Sequence, residues 1–293
     1  MFGYLNIHKP AGVTSRDVVN QVQRLVRPEK VGHAGTLDPL ATGVLVICVG
    51  RATRLTEYVQ RMPKHYSATF LLCRQSDTED IEGHVIELAD PPQPTRDQIE
   101  AVLARFLGEI QQVPPAYSAL KVDGRRAYDL ARRGDDVHLA ARPVVIHELR
   151  IVAYDYPELR LDIVCGSGTY VRSLGRDIAR AVGTEAVMSA LVRTAIGNFR
   201  LDEACDARDL TAASLPIRLL PARRAVADLP ARHLTPAELQ RIGHGLPLEP
   251  QREIVVARKQ EIAAFNEHGE LVAILTPRDD GWLRPILNFP ATS

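Results

Sequence analysis

Hydrophobic and polar positions along the chain follow two periods. Tyr4 to Ile7 reads as a short strand ending at Lys9-Pro10. Thr14 and Ser15 are good N-caps with Asp17 in the first turn, and Val18, Val19, Val22, Leu25 and Val26 recur at helical spacing until Pro28. Gly32 to Thr42 has no period and reads as a loop. Gly43 to Val49 is too apolar for one solvated face, which predicts a buried strand. Arg51 to Arg61 is predicted helical, with Leu55 and Val59 one turn apart. Tyr66, Ala68, Phe70 and Leu72 then alternate, the spacing of a strand with one face inward.

Asp77 to Gly83 is a polar loop, and Pro91-Pro92-Gln93-Pro94 is a stiff connector. Thr95-Arg96-Asp97-Gln98 fits a capping box and opens a helix carrying Ile99, Val102, Leu103, Phe106 and Leu107, closed by Gly108. Val113 to Gly134 reads as irregular and then helical. Val144 to Val152 and Leu159 to Cys165 read as strands. Gly166-Ser167-Gly168 turns the chain into a helix with Val171, Leu174, Ile178 and Val182, and Glu185 to Leu191 is expected to be a further short helix.

From Ala204 to Pro230 the chain is rich in Ala, Pro and Arg, which puts a domain boundary near its end: one domain over 1–230 and a small one over 231–293. In the small one, Leu234 to Gly243 is expected helical. Glu253 to Val256, Ile262 to Asn266, Leu271 to Leu275 and Trp282 to Leu287 are expected as short strands, with a hairpin turn at His268-Gly269. There are no internal repeats.

Composition narrows the class. The chain has 293 residues, 45% hydrophobic and 25% charged, an ordinary globular balance. No apolar run is long enough to span a bilayer, and the first ten residues lack a basic-then-apolar signal pattern. Cys48, Cys73, Cys165 and Cys205 are far apart with no CxxC pair, so buried thiols in a reducing cytoplasm are expected rather than a disulfide framework or a zinc site. The 36 basic and 36 acidic residues cancel, but not locally. Lys9, Arg16, Arg24, Arg27 and Lys30 form one basic cluster, and Lys121, Arg125, Arg126, Arg132 and Arg133 another. Each alone reads as a solvated face; together they point towards a polyanion partner.

Several motifs fail. Gly166-Ser167-Gly168 lacks the third glycine of a dinucleotide loop, where Val171 stands. There is no GxxxxGK[ST] and no GxSxG. Asp77, Glu79, Asp80 and Glu82 do not fit a calcium loop, and such a cluster is most often simply solvated. Asp38 stands out. It sits between Leu37 and Pro39 on a bend, with His33 five residues earlier and Gly32, Gly35 and Gly43 allowing close backbone approach. By residue type alone it is a turn residue. In this loop it becomes a candidate nucleophile that needs a cationic partner, of which Arg172 is one candidate among many. By type, Tyr66 is core and Tyr170 packs a helix start.

GHAGTLDPLATGVL, Gly32 to Leu45, resembles the signature of the TruB family of bacterial tRNA pseudouridine-55 synthases. KPAGVTS (Lys9 to Ser15), His65 to Ala68, the Asp77 to Gly83 loop, Gln112 to Lys121 with Gly124 to Tyr128, Gly168 to Leu174, and Leu191 to Thr194 resemble the family's other segments, in family order. Val192 departs from it where a second arginine is usual, and Cys73-Arg74 stand near where glycine is frequent after the Tyr66 strand.

The resemblance implies an α/β chain of the α+β type: a catalytic domain on a mixed, largely antiparallel sheet, with a small β-rich, PUA-like C-terminal domain. It implies isomerisation of one uridine in the tRNA T arm by a cytoplasmic monomer, without cofactor, metal or membrane. Asp38 then matches the catalytic nucleophile and Arg172 the arginine that pairs with it. Tyr66 matches the aromatic that stacks on the target base; Tyr170 and Leu191 match the uracil pocket; His33 matches the histidine at the loop from which the uridine is extruded. Lys9, Lys121, Arg125 and Arg126 become expected phosphate contacts. The competing reading is a tRNA-binding or folding-assistance protein with secondary or no catalysis.

Overall fold

The computed structural model describes residues 1–118, 120–122, 125–126, 139–249 and 260–289. Its main sheet is built from β1 (Phe2–Lys9), β2 (Val31–His33), β3 (Thr42–Gly50), β4 (Lys64–Leu72), β5 (Gly108–Gln112), β6 (Arg142–Asp155), β7 (Glu158–Cys165) and β8 (Ala186–Ile196). Side by side they run β1, β3, β8, β4, β7, β6, β5, with β2 on β3. Every pair among these is antiparallel except β3 with β8. The sheet is therefore mixed and largely antiparallel, as expected.

The two halves of the sheet are covered differently, and this explains the two hydrophobic patterns. Helix α1 (Ser15–Val26), capped by Thr14 and Asp17 in a complete capping box, lays Val18, Val19, Val22 and Val26 against Leu5, Ile7, Leu45, Ile47 and Val49. Each buried Val or Ile contributes roughly 1.5–3 kcal/mol. The opposite face of β1 and β3, with Tyr4, Val44, Val46 and Cys48, packs on Phe199, Val226, Ala263, Ile274 and Phe289. A strand covered on both sides has no polar face, hence the unbroken run in β3. At β4 only one face is covered. Helices α3 (Arg96–Leu103) and α4 (Val171–Ala181) pack Ile99, Leu103, Leu174 and Ile178 against Ala68, Phe70, Leu161 and Ile163, leaving His65 exposed between Lys64 and Tyr66. Gly175 lets α4 approach, because a Cβ there would overlap the Phe70 ring.

Three local expectations are corrected. Glu185 to Leu191 is not a helix: Ala186–Ile196 pairs with β4 along its length. Its apolar spacing fits either element, and pairing between two central strands decides. Arg51 to Arg61 is a 3-10 turn over Arg51–Leu55 followed by α2 (Thr56–Arg61). The helix after Thr95 ends at Leu103, continues as a 3-10 turn, and Gly108 opens β5 instead of closing the helix. Most of the helix expected before Gly134 lies outside the described residues, as does the strand expected at Glu253 to Val256. Lys121–Val122 and Arg125–Arg126 pair as a two-stranded ribbon.

Near the C-terminus, β9 (Ala231–His233), β10 (Ile262–Phe265), β11 (Leu271–Pro277) and β12 (Leu283–Asn288) form a separate four-stranded sheet, with α5 (Pro236–Gly243) beside it. It is joined to the main sheet by more than the chain. Phe2 stacks on Phe289 at 4.9 Å, and Arg54 donates to the Asn288 carbonyl at 2.7 Å. Cys48, Cys73 and Cys165 are buried free thiols, and Cys205 is half-buried.

Candidate active site

The loop between β2 and β3 carries Asp38 and is fastened from three sides. Ser15, the first residue of α1, accepts from the Leu37 amide at 2.8 Å and donates to the Leu37 carbonyl at 3.0 Å. Arg193 of β8 donates to the carbonyls of Gly35 (3.0 Å), Thr36 (3.3 Å) and Val44 (2.7 Å). Lys9, at the end of β1, donates to Pro10, Val13 and Pro39 carbonyls at 2.9, 2.8 and 3.2 Å. Lys9 is fully buried in this role. It is therefore no phosphate contact, contrary to expectation: its ammonium is spent on main-chain oxygens beneath the Asp38 bend.

Strand register brings in the next groups. Arg193 lies opposite Gly43 on one side and opposite Tyr66 on the other, and Leu191 lies opposite Ala68. Gly43 has φ 101°, and a Cβ there would overlap the Arg193 backbone, so β3 and β8 meet only because this residue has none. Leu37, Leu191 and Tyr66 share one apolar cluster. Burial pushes the Tyr66 phenol up, while the hydrogen-bonded Arg193 guanidinium pulls it back down.

Helix α4 supplies the cation. Arg172 is 7% exposed and sets its Nε 3.0 Å from Asp38 Oδ2. Its other nitrogens donate to the carbonyls of Thr78 (2.7 Å) and Tyr117 (3.1 Å), and Nη1 lies 3.6 Å from Asp80 Oδ2. Asp38 keeps 35% of its side-chain surface open, whereas Asp80 keeps 4%. The outer carboxylate can meet a ligand, and the inner one is part of the scaffold. Tyr170 caps α4 by position. The buried Gln112 of β5 holds its main chain in both directions, accepting from its amide at 2.8 Å and donating to its carbonyl at 3.1 Å. The Arg142 guanidinium lies 4.9 Å from the Tyr170 ring centroid and donates to the Gly168 carbonyl.

His33 ends β2, half-buried at the edge of the same loop, and its Nδ1 accepts from the Gly35 amide at 3.3 Å. Burial lowers its basicity, and the positive charges of Arg16 and Arg193 lower it further. With Nδ1 accepting, the neutral imidazole carries its proton on Nε2, which is left as a donor. Asp38, Arg172, Tyr66 and Leu191 are thus brought together, with Tyr170 two residues from Arg172 and His33 flanking. Lys121, Arg125 and Arg126 are described as backbone only, in the ribbon above, so their expected phosphate contacts lie outside the described side chains. The arrangement offers one accessible carboxylate against a buried cation, beside a phenol and an apolar wall, which suits attack on or deprotonation of a flat, weakly polar ring or its sugar.

Residues 23–171 match the family model described as TruB family pseudouridylate synthase, N-terminal domain. The chain belongs to this family. It is 37% identical to the tRNA pseudouridine synthase B of Rhodopirellula baltica over 99% of this chain and 95% of that protein. Identity to the enzyme of the same name is 40% in Dehalococcoides mccartyi, covering 99% and 97% of the two chains, and 43% in Gluconacetobacter diazotrophicus, covering 97% and 95%. Among solved structures, the fold resembles a chain of an H/ACA RNP bound to a substrate RNA containing 2'-deoxyuridine, with TM-score 0.74 and 23% identity over 99% of this chain and 86% of that one. A Cbf5-Nop10-Gar1 complex matches with TM-score 0.73 and 24% identity over 99% and 84%.

The fold of this TruB family chain gathers at the site residues that the pattern of its sequence does not single out. Arg193 and Gln112 lay within motif segments but carried no individual signal. In sequence Asp80 and Glu79 look solvated, yet Asp80 is buried and Glu79 nearly so. Cys73 adopts φ 63°, the conformation glycine takes most easily.

Proposed function

We propose that this chain isomerises uridine 55 in the T arm of tRNA to pseudouridine. The observation that carries the reading is the half-open Asp38 carboxylate held 3.0 Å from the buried Arg172 guanidinium, beside Tyr66 and Leu191. The reaction breaks the N1–C1′ bond, turns the uracil and joins C5 to the same sugar carbon. The C5 proton leaves and N1 gains one, so atoms balance without a redox partner.

In this reading Asp38 acts on the nucleotide at C1′, at C6 or on a sugar proton, and Arg172 fixes the carboxylate's orientation. Tyr66 stacks on the base and serves the C5 proton step. Leu191 and Tyr170 wall the uracil, and His33 offers its Nε2–H to the RNA loop. A stacked base cannot reach this half-buried carboxylate, so the uridine is flipped out on binding. Lys121, Arg125 and Arg126 contact phosphates, and the chain works in the cytoplasm as a monomer.

The test is incubation of purified protein with unmodified tRNA, followed by mapping of pseudouridine. Modification confined to position 55 is expected. Intact tRNA binding with no pseudouridine in the T arm would replace this reading by a binding or folding-assistance role.

A further inference from the structure

Glu79 and Asp80 are consecutive, yet both side chains reach helix α4. In an extended segment, neighbouring side chains point to opposite faces. Here Glu79 takes φ 62°, a left-handed conformation that costs a residue with a Cβ free energy and turns the two carboxylates to the same side. Their backbone is pinned to β8: the Glu79 carbonyl accepts from the Met188 amide at 3.0 Å, and the Ile81 amide donates to the Met188 carbonyl at 3.1 Å.

The Glu79 side chain is the visible counterweight to that conformation. One oxygen accepts from Ser173 Oγ at 2.7 Å, and the other pairs with Arg176. Arg176 is itself held by Asp177 at 2.8 Å and donates to the Val113 carbonyl at 3.1 Å. Arg172 and Arg176 lie one turn apart on α4, so the helix receives Asp80 on the first and Glu79 on the second. The inner pair of this double clasp, Arg172 with Asp80, leads directly to Asp38.

We infer that Glu79, through Ser173 and Arg176, is a positioning residue for the active site: it holds the left-handed turn that aims Asp80 at Arg172 and thereby fixes the guanidinium facing Asp38. Glu79 bonds Ser173 and Arg176 rather than Asp38, and although the Arg172 charge also reaches it, its positioning effect passes through Asp80. The inference rests on the pseudouridine-forming activity proposed above. It adds a residue, and a reason for its strained backbone, to that site.

The experiment is single-turnover pseudouridine formation with full-length protein in excess over unmodified tRNA, alongside tRNA binding. Glu79→Ala is expected to lower the rate about 10-fold, a misplacement effect, with tRNA affinity within about 2-fold of wild type. Glu79→Gly lacks the clasp but takes the left-handed turn at little cost, and is expected to lie between Glu79→Ala and wild type. In an Asp80→Asn background, Glu79→Ala is expected to add less than about 2-fold, because its route to Asp38 is already cut. Arg176→Lys keeps an ion pair with Glu79 and is expected to stay close to wild type; it also carries the comparison if Glu79→Ala does not fold. An unchanged Glu79→Ala rate, a Glu79→Gly rate no faster than that of Glu79→Ala, or an undiminished effect in the Asp80→Asn background overturns the inference. A wild-type protein that makes no pseudouridine overturns the proposed function instead.

Discussion

Arg172 places Nε 3.0 Å from Asp38 Oδ2 while Nη1 of the same guanidinium lies 3.6 Å from Asp80 Oδ2, so one buried cation serves two carboxylates. The two differ in exposure, and that difference separates their roles. Asp38 is partly open to solvent, and Asp80 fixes the cation from the buried side. The planar guanidinium, whose donors have fixed directions, can hold both at once.

Asp38→Asn keeps the size of the side chain and loses its charge. Turnover is expected to fall by at least about 10³-fold, with tRNA binding retained, since the other binding groups are untouched. Single-turnover assays paired with filter binding measure both. Surviving turnover would remove Asp38 from the nucleophile's role.

Asp80→Asn leaves Arg172 with Asp38 and the Thr78 and Tyr117 carbonyls. Removing one partner of a buried pair is costly, but the remaining acceptors soften it to about 1–3 kcal/mol. The rate is expected to drop about 10- to 100-fold through misorientation of Arg172. Thermal unfolding and kinetics on the same preparation separate the two effects; a rate equal to wild type contradicts the scaffold role.

Arg193→Lys puts one compact ammonium where a fork reaches three carbonyls. Two acceptors in the Asp38 loop lose their donor, at a cost of about 2–4 kcal/mol. Urea unfolding should register it. The rate should fall as well, because Tyr66 loses the guanidinium that hydrogen-bonds it. A variant as stable as wild type would mean that the loop is held by Lys9 and Ser15 alone.

Lys9 makes a pH prediction. Burial pushes its ammonium down to about 8, against an opposing pull from Asp38 and Glu82. The unfolded chain keeps an ordinary lysine, near 10.4, and so takes up the proton first as pH falls. Stability from this group is therefore present above about 10.4, declines as pH falls to about 8, and is level below that. The stability difference between wild type and Lys9→Met should shift in favour of wild type as pH rises from 8 to 10. Turnover should move the other way, falling as pH rises through about 8, because the neutral amine holds the Pro39 carbonyl weakly. Lys9→Met should be slow but flat over that range. Thermal unfolding and rates at pH 7 to 10 test both; a wild-type rate flat to pH 9 contradicts the coupling.

Much of the architecture was legible along the chain. The capping box at Thr14, the alternation from Tyr66 to Leu72 and the unbroken apolar run in β3 each report a local relation between side chains and one covered or two covered faces. Glu185 to Leu191 was not legible, because the same spacing suits a helix until β4 is beside it. The loop carboxylates show the same limit. Asp80 and Glu79 look like solvated acids in sequence, and nothing nearby in the chain announces Arg172 and Arg176, more than ninety residues later. Lys9 misleads for the opposite reason. A lysine beside proline in a basic stretch looks exposed, whereas three carbonyls converge on it only in the fold.

The sequence by itself determined the periods of the elements, the helix caps and the family, and the resemblance of its loop marked Asp38 as the candidate nucleophile, since these depend on residue type and short spacing. Only the tertiary structure decided which cations are buried and which carboxylate each one serves. The physical reason is that burial and ion pairing depend on strands and helices distant in sequence: Arg193 reaches the Val44 carbonyl across a separation of 149 residues. A guanidinium changes from a surface charge to the anchor of an active site when such an acceptor takes the place of water.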